Sequence, residues 1–590
     1  MTGYSRGASK PSRPRRPHPP RRRTGPTRPP VEDPARLAAL ETLRAVRQRD
    51  AYANLVLPQL LRERRITGRD AALATELAYG AARAQGLLDA VIEACSDRPL
   101  SEVDGSALDA LRLGTYQLLR TRIPSHAAVA STVDLVRAEL GSGIAGFVNA
   151  VLRRVAEQDE AAWVDELAPD PDTDPVGNLA FTHAHPRWIA QAFAEALGSR
   201  EEPLKRALEA DDARPAVHLV ARPGEVSADE LAAITGGEVA PYSPYGVHLE
   251  AGAGDPGDLE PVRERLANVQ DEGSQLCALA LTRAPLLRDA RDGGSGSGDA
   301  HGTGDQGRGD LAESAVADDG TVADGLDADG QVTDGVGNGD VAGGDVAGGD
   351  ATSGAGADVH GVDAGGLGDV AVGDAAGGVV ASGGRDTDDR GTDQGASDQG
   401  TDDRWLDLCA GPGGKAALLA ALVGLDGGEL IAVEKAPHRA ELVRKITSGL
   451  PVTVHVADGR ETDFVEGAFD RVLVDAPCTG LGALRRRPEA RWRRQPADVG
   501  TLTKLQRELL TEALRLVRPG GVVGYVVCSP HLSETVGIVT DVARRTGAEV
   551  LDTREFFPGV PDLGEGPHVQ LWPHLHGTDA MFCAVLRRPV

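Results

Sequence analysis

The sequence is poor in cysteine and has no long apolar run. Its six cysteines are scattered through 590 residues, and no two of them form a Cys-x-x-Cys pair. That spacing gives no indication of a zinc site or a thioredoxin-like motif, so we expect no bound metal. A long chain with few cysteines is typical of a reduced, cytoplasmic protein. No apolar run reaches the roughly 18 residues that span a bilayer, and no signal-peptide core is present, so we expect no membrane association.

Lysine is also scarce, and most of the net negative charge lies in one segment. Six of the 62 basic residues are lysines, and the formal net charge is −27. Residues 289–403 contain 26 acidic residues and four arginines, which account for −22 of that charge and leave −5 for the rest. Nucleic-acid enzymes usually present basic groups to the phosphate backbone. Because one segment makes the chain acidic, the net charge does not argue against an RNA substrate.

Composition and periodicity divide the chain into parts of distinct character. Two of them are low in large apolar residues and are predicted to be disordered, because such segments cannot bury enough surface to fold. Apolar residues at helical spacing predict an all-α domain, and strand and helix patterns predict a small α+β domain after it. The predicted parts are a basic tail (1–33), a helical domain (34–157), a small α+β domain (187–268), a catalytic domain (269–288 and 404–590) and an acidic Gly/Asp-rich insertion (289–403).

The catalytic part alternates apolar strands with helical stretches, which predicts a Rossmann-like α/β fold with a parallel sheet. Ligands bind such sheets at the carboxyl ends of the strands, where the loops meet. We therefore expect the functional residues directly after the strands. The predicted strands are Trp405–Cys409, Leu430–Glu434, Val452–Val456, Arg471–Asp475, Val522–Cys528 and Met581–Leu586.

A glycine-rich loop and several carboxylates follow these strands. The first strand enters Cys409–Lys415 (CAGPGGK), where glycines let a ligand approach the backbone closely. The loop lacks Walker A spacing, so it does not predict a P-loop ATPase. Three later strands end at or near Glu434, Asp458 and Asp475. These side chains are expected to cluster at one edge of the sheet, where a cationic nucleoside would lie.

Two cysteines follow adjacent predicted strands, in Asp475–Gly480 (DAPCTG) and in Cys528-Ser529. A single buried cysteine is usually a small apolar side chain. Two of them at strand ends, beside a glycine-rich loop, indicate a functional site instead. The sequence therefore predicts an active site that contains Cys478 and Cys528.

These motifs, in this order, closely resemble those of the RNA 5-methylcytosine methyltransferases of the NOL1/NOP2/Sun group. Within that group, the chain resembles the bacterial ribosomal small-subunit methyltransferase B (Fmu/Sun) family. Residues 34–157 resemble the helical domain shared with the antitermination factor NusB, through phrases such as Thr75–Gly80 and Leu113–Gln117. The resemblance covers nearly all of residues 34–590 outside the insertion.

The resemblance implies a cofactor, a partner and a set of site residues. It implies methyl transfer from S-adenosylmethionine to cytosine C5 of 16S ribosomal RNA, at a cytosine-967-type position, by a monomer whose helical domain binds RNA. It implies that Cys528 attacks the base, that Cys478 assists release and that Asp475 acts in catalysis. The implied cofactor contacts are Cys409, Ala410, Gly411, Pro412, Gly413, Gly414, Lys415, Glu434, Arg439, Asp458 and Asp475. The chain departs from the usual family residues at Gly411, Ala416, Val527 and Thr535.

The implied reaction explains these residue types. Cytosine C5 is a poor nucleophile, and a thiolate that adds to C6 turns C5 into an enamine carbon able to accept a methyl group. The thiolate is the reactive form, so its surroundings are expected to lower its pKa. A protonated Asp475 would donate to N3 and favour the addition. The target base must also leave its stack to enter the pocket.

Several alternatives stay open on the sequence alone. DNA cytosine methylases attack with the cysteine of a Pro-Cys motif, which makes Cys478 the rival nucleophile. An amino-group methylase is disfavoured, because Asp475–Cys478 does not fit the (N/D)PP(Y/F) pattern. The remaining alternatives are a non-catalytic NusB-like RNA-binding or antitermination factor with a vestigial methylase domain, and a C5 methylase of another RNA.

Overall fold

A computed structural model describes residue 3 and residues 33–250, 254–287 and 403–590. The predicted basic tail and acidic insertion fall almost wholly outside these described residues. Within them, no helix combines the length and apolarity needed to cross a bilayer.

The N-terminal part is a bundle of helices built on a single apolar core. Its first helix begins at Pro34, where the Asp33 side chain caps the Arg36 N–H and proline needs no hydrogen-bond partner. Leu40, Leu77 and Val148 are fully buried in the shared core. The helices are α1 (Pro34–Arg49), α2 (Ala53–Arg64), α3 (Gly68–Arg83), α4 (Gln85–Cys95), α5 (Gly105–Arg120), α6 (Ser125–Leu140) and α7 (Ser142–Val155).

Four further helices connect the bundle to the rest of the chain. They are α8 (Glu160–Leu167), α9 (Pro175–Thr182), α10 (Arg187–Ala196) and α11 (Glu201–Asp212). Trp163 of α8 is buried in the core of the bundle. Phe193 of α10 meets Trp572 edge to face, with ring centroids 5.7 Å apart, and shares a core with Leu481 and Leu484. The connecting helices thus pack against the C-terminal part as well as the bundle.

A small antiparallel sheet follows. Its elements are β1 (Val217–Ala221), α12 (Ala228–Thr235), β2 (Glu238–Val239), β3 (Gly246–Leu249), α13 (Glu260–Arg263) and β4 (Ala267–Val269), and the strand order is β2-β3-β1-β4. Helix α12 begins with a capping box in which Ser227 and Glu230 satisfy each other's backbone N–H groups. The helix therefore begins at Ala228, directly after this cap.

The C-terminal part is a larger mixed sheet flanked by helices. Its elements are α14 (Glu272–Arg283), β5 (Arg404–Asp407), α15 (Gly414–Leu425), β6 (Glu429–Glu434), α16 (Pro437–Ile446), β7 (Val452–Val456), β8 (Phe469–Asp475), α17 (Ala490–Arg493), α18 (Pro496–Leu516), β9 (Val517–Val527), α19 (Val536–Thr546), β10 (Glu549–Val550), β11 (Val569–Gln570), α20 (Pro573–His576) and β12 (Phe582–Arg587). Among the described residues, the strand order is β10-β12-β9-β8-β5-β6-β7, and β11 pairs with β12.

The strands β5 to β9 run parallel, whereas β12 is antiparallel to β9. The carboxyl ends of the parallel strands therefore meet at one edge, which holds the glycine-rich loop and both predicted cysteines. Strands β5, β6 and β8 are almost wholly buried, as expected of a sheet covered on both faces. The predicted fold class, a helical domain with a Rossmann-like α/β domain and a small α+β region, is confirmed.

Candidate active site

Hydrogen bonds join the glycine-rich loop to Glu434, at the end of strand β6, and to Arg439. The Gly411 N–H donates to Glu434 Oε2 at 3.1 Å, and an Arg439 guanidinium nitrogen donates to the Gly411 carbonyl at 2.5 Å. A Cβ at position 411 would stand 2.2 Å from Glu434 Oε2 and 2.9 Å from Arg439 Nε. An alanine at this position would thus have to displace this carboxylate. Glycine at 411 is what lets Glu434 reach the loop.

A buried carboxyl group lies directly below this loop. Asp407, the last residue of β5, is fully buried, and its Oδ1 accepts from the Cys409 N–H at 3.3 Å. Its Oδ2 has no hydrogen-bond partner within the part of the chain that the structure describes. Burial, together with the nearby Asp475 carboxylate, raises the pKa of Asp407 to about 7. The sequence placed this residue within the first predicted strand and indicated no role for it.

Asp458 also lies at this edge, but its carboxylate is already paired. Arg460 donates to both of its oxygens, at 3.0 and 2.8 Å, and Lys435 Nζ stands 3.2 Å away. The hydrogen bonds from Arg460 hold the pKa of Asp458 well below its usual range. The contact between Asp458 and a cofactor stays a prediction, and it requires an oxygen already shared with two cations to accept a further donor.

Lys415 and Asp475 form an ion pair across the edge of the sheet. Lys415 Nζ donates to Asp475 Oδ2 at 2.9 Å, and the lysine side chain is 9% exposed. Burial alone would lower the pKa of Lys415, but the Asp475 carboxylate outweighs it and raises that pKa. The lysine therefore carries a positive charge at this edge of the sheet, beside the Asp475 carboxylate.

The two predicted cysteines are neighbours in space. Cys478 Sγ and Cys528 Sγ are 3.4 Å apart, and both side chains are partly exposed. The S–H of Cys478 stabilises a thiolate at Cys528, with smaller help from Arg487 and Lys415, and lowers the pKa of Cys528 despite its burial. The hydrogen bond with Cys528, burial and the Glu534 carboxylate together raise the pKa of Cys478. The hydrogen bond between the two sulfur atoms thus favours a thiolate at Cys528 and a thiol at Cys478, whereas the Asp475 carboxylate opposes the thiolate.

The loop after Cys478 is hydrogen-bonded to the loop that carries Cys528. The Gly482 N–H donates to the Cys528 carbonyl at 2.9 Å, and the Gly482 carbonyl accepts from the Ala580 N–H at 2.8 Å. A Cβ at Gly482 would lie 1.9 Å from the Ala580 carbonyl oxygen and 3.0 Å from the Cys528 carbonyl carbon. The backbone can come this close only because the residue has no side chain.

Replacing Gly482 with alanine is therefore expected to move the backbone at Cys528. We expect a loss of about 1–3 kcal/mol in the free energy of unfolding, as in other overpacked cores, and about a 100-fold loss of catalytic activity from misplacement of the thiol. Denaturant unfolding and a turnover assay measure the two effects. Gly500→Ala is the control, because Gly500 lies in α18 with no atom within 4 Å of its added Cβ. Equal activity of the two variants would contradict the predicted coupling.

A segment of arginines beyond Cys478 docks the site onto the helical bundle. Arg491 is fully buried and pairs with Asp211 at 2.8 Å. Trp492 Nε1 donates to the Arg83 carbonyl at 3.1 Å. Arg493 donates to the Ala51 carbonyl at 2.7 Å. The docking role of this segment becomes visible only in three dimensions, because its partners lie in distant parts of the chain.

Arg487 differs from its neighbours in this segment because its side chain is exposed. Its guanidinium carbon lies 5.6 Å from the centroid of the Tyr52 ring, and among the described residues no carboxylate pairs with it. It also contributes to the low pKa of Cys528. Sequence reasoning missed this residue as a functional one, since nothing in a run of arginines distinguishes the exposed member.

The site has parallel strands that end in a glycine-rich loop, acidic side chains and two neighbouring thiols. These features are typical of an enzyme that binds a nucleoside cofactor. Comparison with known proteins identifies the family. The sequence model for 16S rRNA methyltransferase RsmB/F matches residues 397–587, and that for the NusB family matches residues 33–157. The chain belongs to the RsmB/F family of rRNA methyltransferases. It is therefore a methyltransferase with a NusB-like domain.

Relatives match over nearly the full length of the chain. A Mycobacterium tuberculosis protein, named as a methyltransferase with no substrate given, is 52% identical and covers 96% of this chain and 99% of its own length. The ribosomal RNA small subunit methyltransferase B of Pseudomonas putida is 27% identical and covers 88% of this chain and 91% of its own length. The crystal structure of PH0851 covers 94% of this chain and 99% of its own, with a TM-score of 0.63 at 17% identity, and shows the same fold.

Proposed function

We propose that this protein transfers a methyl group from S-adenosylmethionine to cytosine C5 of 16S ribosomal RNA, at a cytosine-967-type position, through a covalent adduct between Cys528 and C6. The observation that carries the proposal is the pair of sulfur atoms 3.4 Å apart, in which the hydrogen bond with Cys478 lowers the pKa of Cys528. A nucleophilic mechanism needs such a thiolate. The family membership supports rRNA as the substrate.

The acidic edge fits a cationic nucleoside. Asp475 pairs with Lys415 and Glu434 with Arg439, whereas the buried Asp407 has no cationic partner among the described residues and has one oxygen without a hydrogen bond. S-adenosylmethionine, when bound, supplies an electrophilic methyl group on a positively charged sulfur. We propose that the backbone of residues 409–414 accommodates it, while Glu434 accepts hydrogen bonds from ribose hydroxyls. Arg439 keeps Glu434 oriented through their contact at 3.6 Å.

Cys528 and the Lys415–Asp475 pair would act together in the first step. The Cys528 thiolate forms a bond to C6, and the electron pair of the C5–C6 double bond activates C5. Negative charge builds at N3 as this happens, and N3 takes a proton from the Lys415–Asp475 pair. In this structure Asp475 accepts from the Lys415 ammonium, so the pair as a unit, rather than an isolated protonated carboxyl, is the proposed proton source.

Cys478 would act when the product leaves. Once C5 carries its methyl group, the C5 proton passes to water, the C5–C6 double bond forms again, the C6–S bond breaks to release the Cys528 thiolate, and N3 returns its proton to the Lys415–Asp475 pair. The S–H of Cys478 donates to the departing Cys528 sulfur and lowers the pKa of that thiol, which makes it a better leaving group. Truncation of Cys478 would therefore slow release more than methyl transfer.

The proposed cofactor site should bind more tightly as the pH rises through about 7. Asp407, with its pKa raised to about 7, is largely neutral at pH 6 and largely ionised at pH 8. Because the ionised form attracts a cation, we expect the Kd for S-adenosylmethionine to fall about tenfold between these values. Calorimetric titration of wild type and Asp407→Asn tests this. An unchanged slope in the Asn variant would exclude Asp407 as the titrating group.

Mapping 5-methylcytosine in rRNA tests the proposed function in cells. Cells that lack this protein should lose one 5-methylcytosine of 16S rRNA, and the wild-type gene should restore it while the Cys528→Ala gene should not. Loss of a different modification, or of a 5-methylcytosine in another RNA, would replace the proposed substrate.

A further inference from the structure

A single buried glutamate joins the loops of both cysteines. Glu534 is fully buried between β9 and α19. Its Oε1 accepts from the Thr479 N–H at 2.8 Å and from Gln506 Nε2 at 3.1 Å. Its Oε2 accepts from the Thr479 hydroxyl at 2.5 Å and from the Ser529 hydroxyl at 2.7 Å. Thr479 directly follows one cysteine and Ser529 directly follows the other, so the carboxylate spans the two loops.

This carboxylate has no positively charged partner among the described residues. Its charge is balanced only by four hydrogen-bond donors, which is a costly arrangement for a buried anion. A carboxylate accepts all four of these bonds, whereas a glutamine would turn an N–H₂ group towards two of the donors. The arrangement is therefore specific for glutamate, and its cost indicates a role beyond filling space.

The negative charge lies on the Cys478 side of the thiol pair. It raises the pKa of Cys478, after the hydrogen bond with Cys528 and burial. The cations Lys415 and Arg487 favour the thiolate at Cys528 instead. Of the other ionisable groups facing the pair, Asp475 disfavours a thiolate at Cys528, and Tyr525 donates its hydroxyl to the Glu534 carbonyl.

We propose that Glu534 is a positioning residue that selects which thiol is the nucleophile, by holding both loops in register and keeping the shared proton on Cys478. This inference rests on the proposed covalent function, and it adds how two chemically identical groups acquire different roles. Glu534 does not touch the substrate in this account. It acts through Thr479 and Ser529.

The test compares thiol reactivity in Glu534→Gln and wild type without RNA. Iodoacetamide labelling followed by peptide mass spectrometry gives the ratio of Cys528 to Cys478 alkylation across pH 6–9. The wild type should label Cys528 preferentially, and Glu534→Gln should reduce that preference about tenfold and raise the pH of half-maximal Cys528 labelling. Methyl transfer should fall about 100-fold in kcat with little change in KM for RNA.

Glu272→Gln is the matched control. Glu272 is also a fully buried glutamate, and it accepts from the backbone N–H groups of Tyr242 and Ser243 in the small sheet. The Glu272→Gln protein should be less stable than the wild type, but its ratio of Cys528 to Cys478 alkylation should be unchanged. If Glu534→Gln fails to fold, Ser529→Ala and Thr479→Val each remove one bond to the carboxylate and should shift the ratio in the same direction.

The outcomes separate this inference from the proposed function. An unchanged labelling ratio and pH profile in Glu534→Gln, or in both substitutes if it does not fold, overturns the role of Glu534. Preferential alkylation of Cys528 in the wild type, together with loss of that preference in Glu534→Gln, supports the role of Glu534. This holds even if the wild type methylates no RNA, in which case the proposed function alone fails.

Discussion

Cys528→Ala is expected to abolish both methyl transfer and the covalent RNA adduct, whereas Cys478→Ala is expected to trap the adduct. Without the Cys528 sulfur no bond to C6 can form, so C5 is never activated. Without Cys478 the addition still proceeds, but the departing sulfur loses the S–H donor that stood 3.4 Å away. Protein should then accumulate cross-linked to rRNA, visible on a denaturing gel as a slow band that nuclease collapses.

The double variant and the reverse pattern complete this prediction. Cys478→Ala with Cys528→Ala should form no adduct, because trapping requires Cys528. If Cys528→Ala traps RNA and Cys478→Ala does not, Cys478 is the nucleophile and the protein uses the arrangement of DNA cytosine methylases. Unchanged turnover in both single variants would exclude covalent catalysis.

Breaking the Lys415–Asp475 pair is expected to have the second largest effect. Either Lys415→Met or Asp475→Asn leaves one charge without its partner, and loss of one member of a buried pair typically costs about 3–5 kcal/mol. Asp475 is 30% exposed on its side chain, so we expect the lower end of that range. Each variant should also lose at least about 100-fold in methyl transfer, because the proton source for N3 is gone.

The double variant Lys415→Met/Asp475→Asn separates stability from catalysis. Removing both charges should restore most of the unfolding free energy, since no unpaired charge is left, but methyl transfer should stay low. Arg404→Met is the control, because Arg404 forms an exposed ion pair with Glu429 at 3.0 Å and should cost less than about 1 kcal/mol. Recovery of activity in the double variant would contradict the catalytic role of the pair. Thermal unfolding and methyl incorporation are the two measurements.

The sheet was predictable because its strands are short, apolar and separated by helical periods. Predicted strand Val452–Val456 matches β7, and predicted strand Arg471–Asp475 lies within β8. The predicted strand Val522–Cys528 begins five residues late, because β9 runs through Pro519 and Gly520, which normally indicate a turn. An irregular register between Phe469 and Arg471 accommodates this part of the strand pair.

The candidate site was predictable where its residues lie in motifs at strand ends, and not where they act through distant partners. Cys478, Cys528 and Lys415 belong to the first kind. Glu534 belongs to the second, because its role depends on hydroxyl and amide groups up to 55 residues away along the chain. The pairing of Asp458 with Arg460, two residues further along the chain, was not predictable either, because periodicity does not indicate which neighbour a side chain contacts.

The most direct test of the central claim is to incubate the purified protein with naked 16S rRNA and methyl-labelled S-adenosylmethionine, and to identify the labelled nucleoside after complete digestion. The account predicts label in 5-methylcytidine at a single position with the wild type, and none with Cys528→Ala. Label in any other nucleoside, or undiminished 5-methylcytidine from Cys528→Ala, would contradict it.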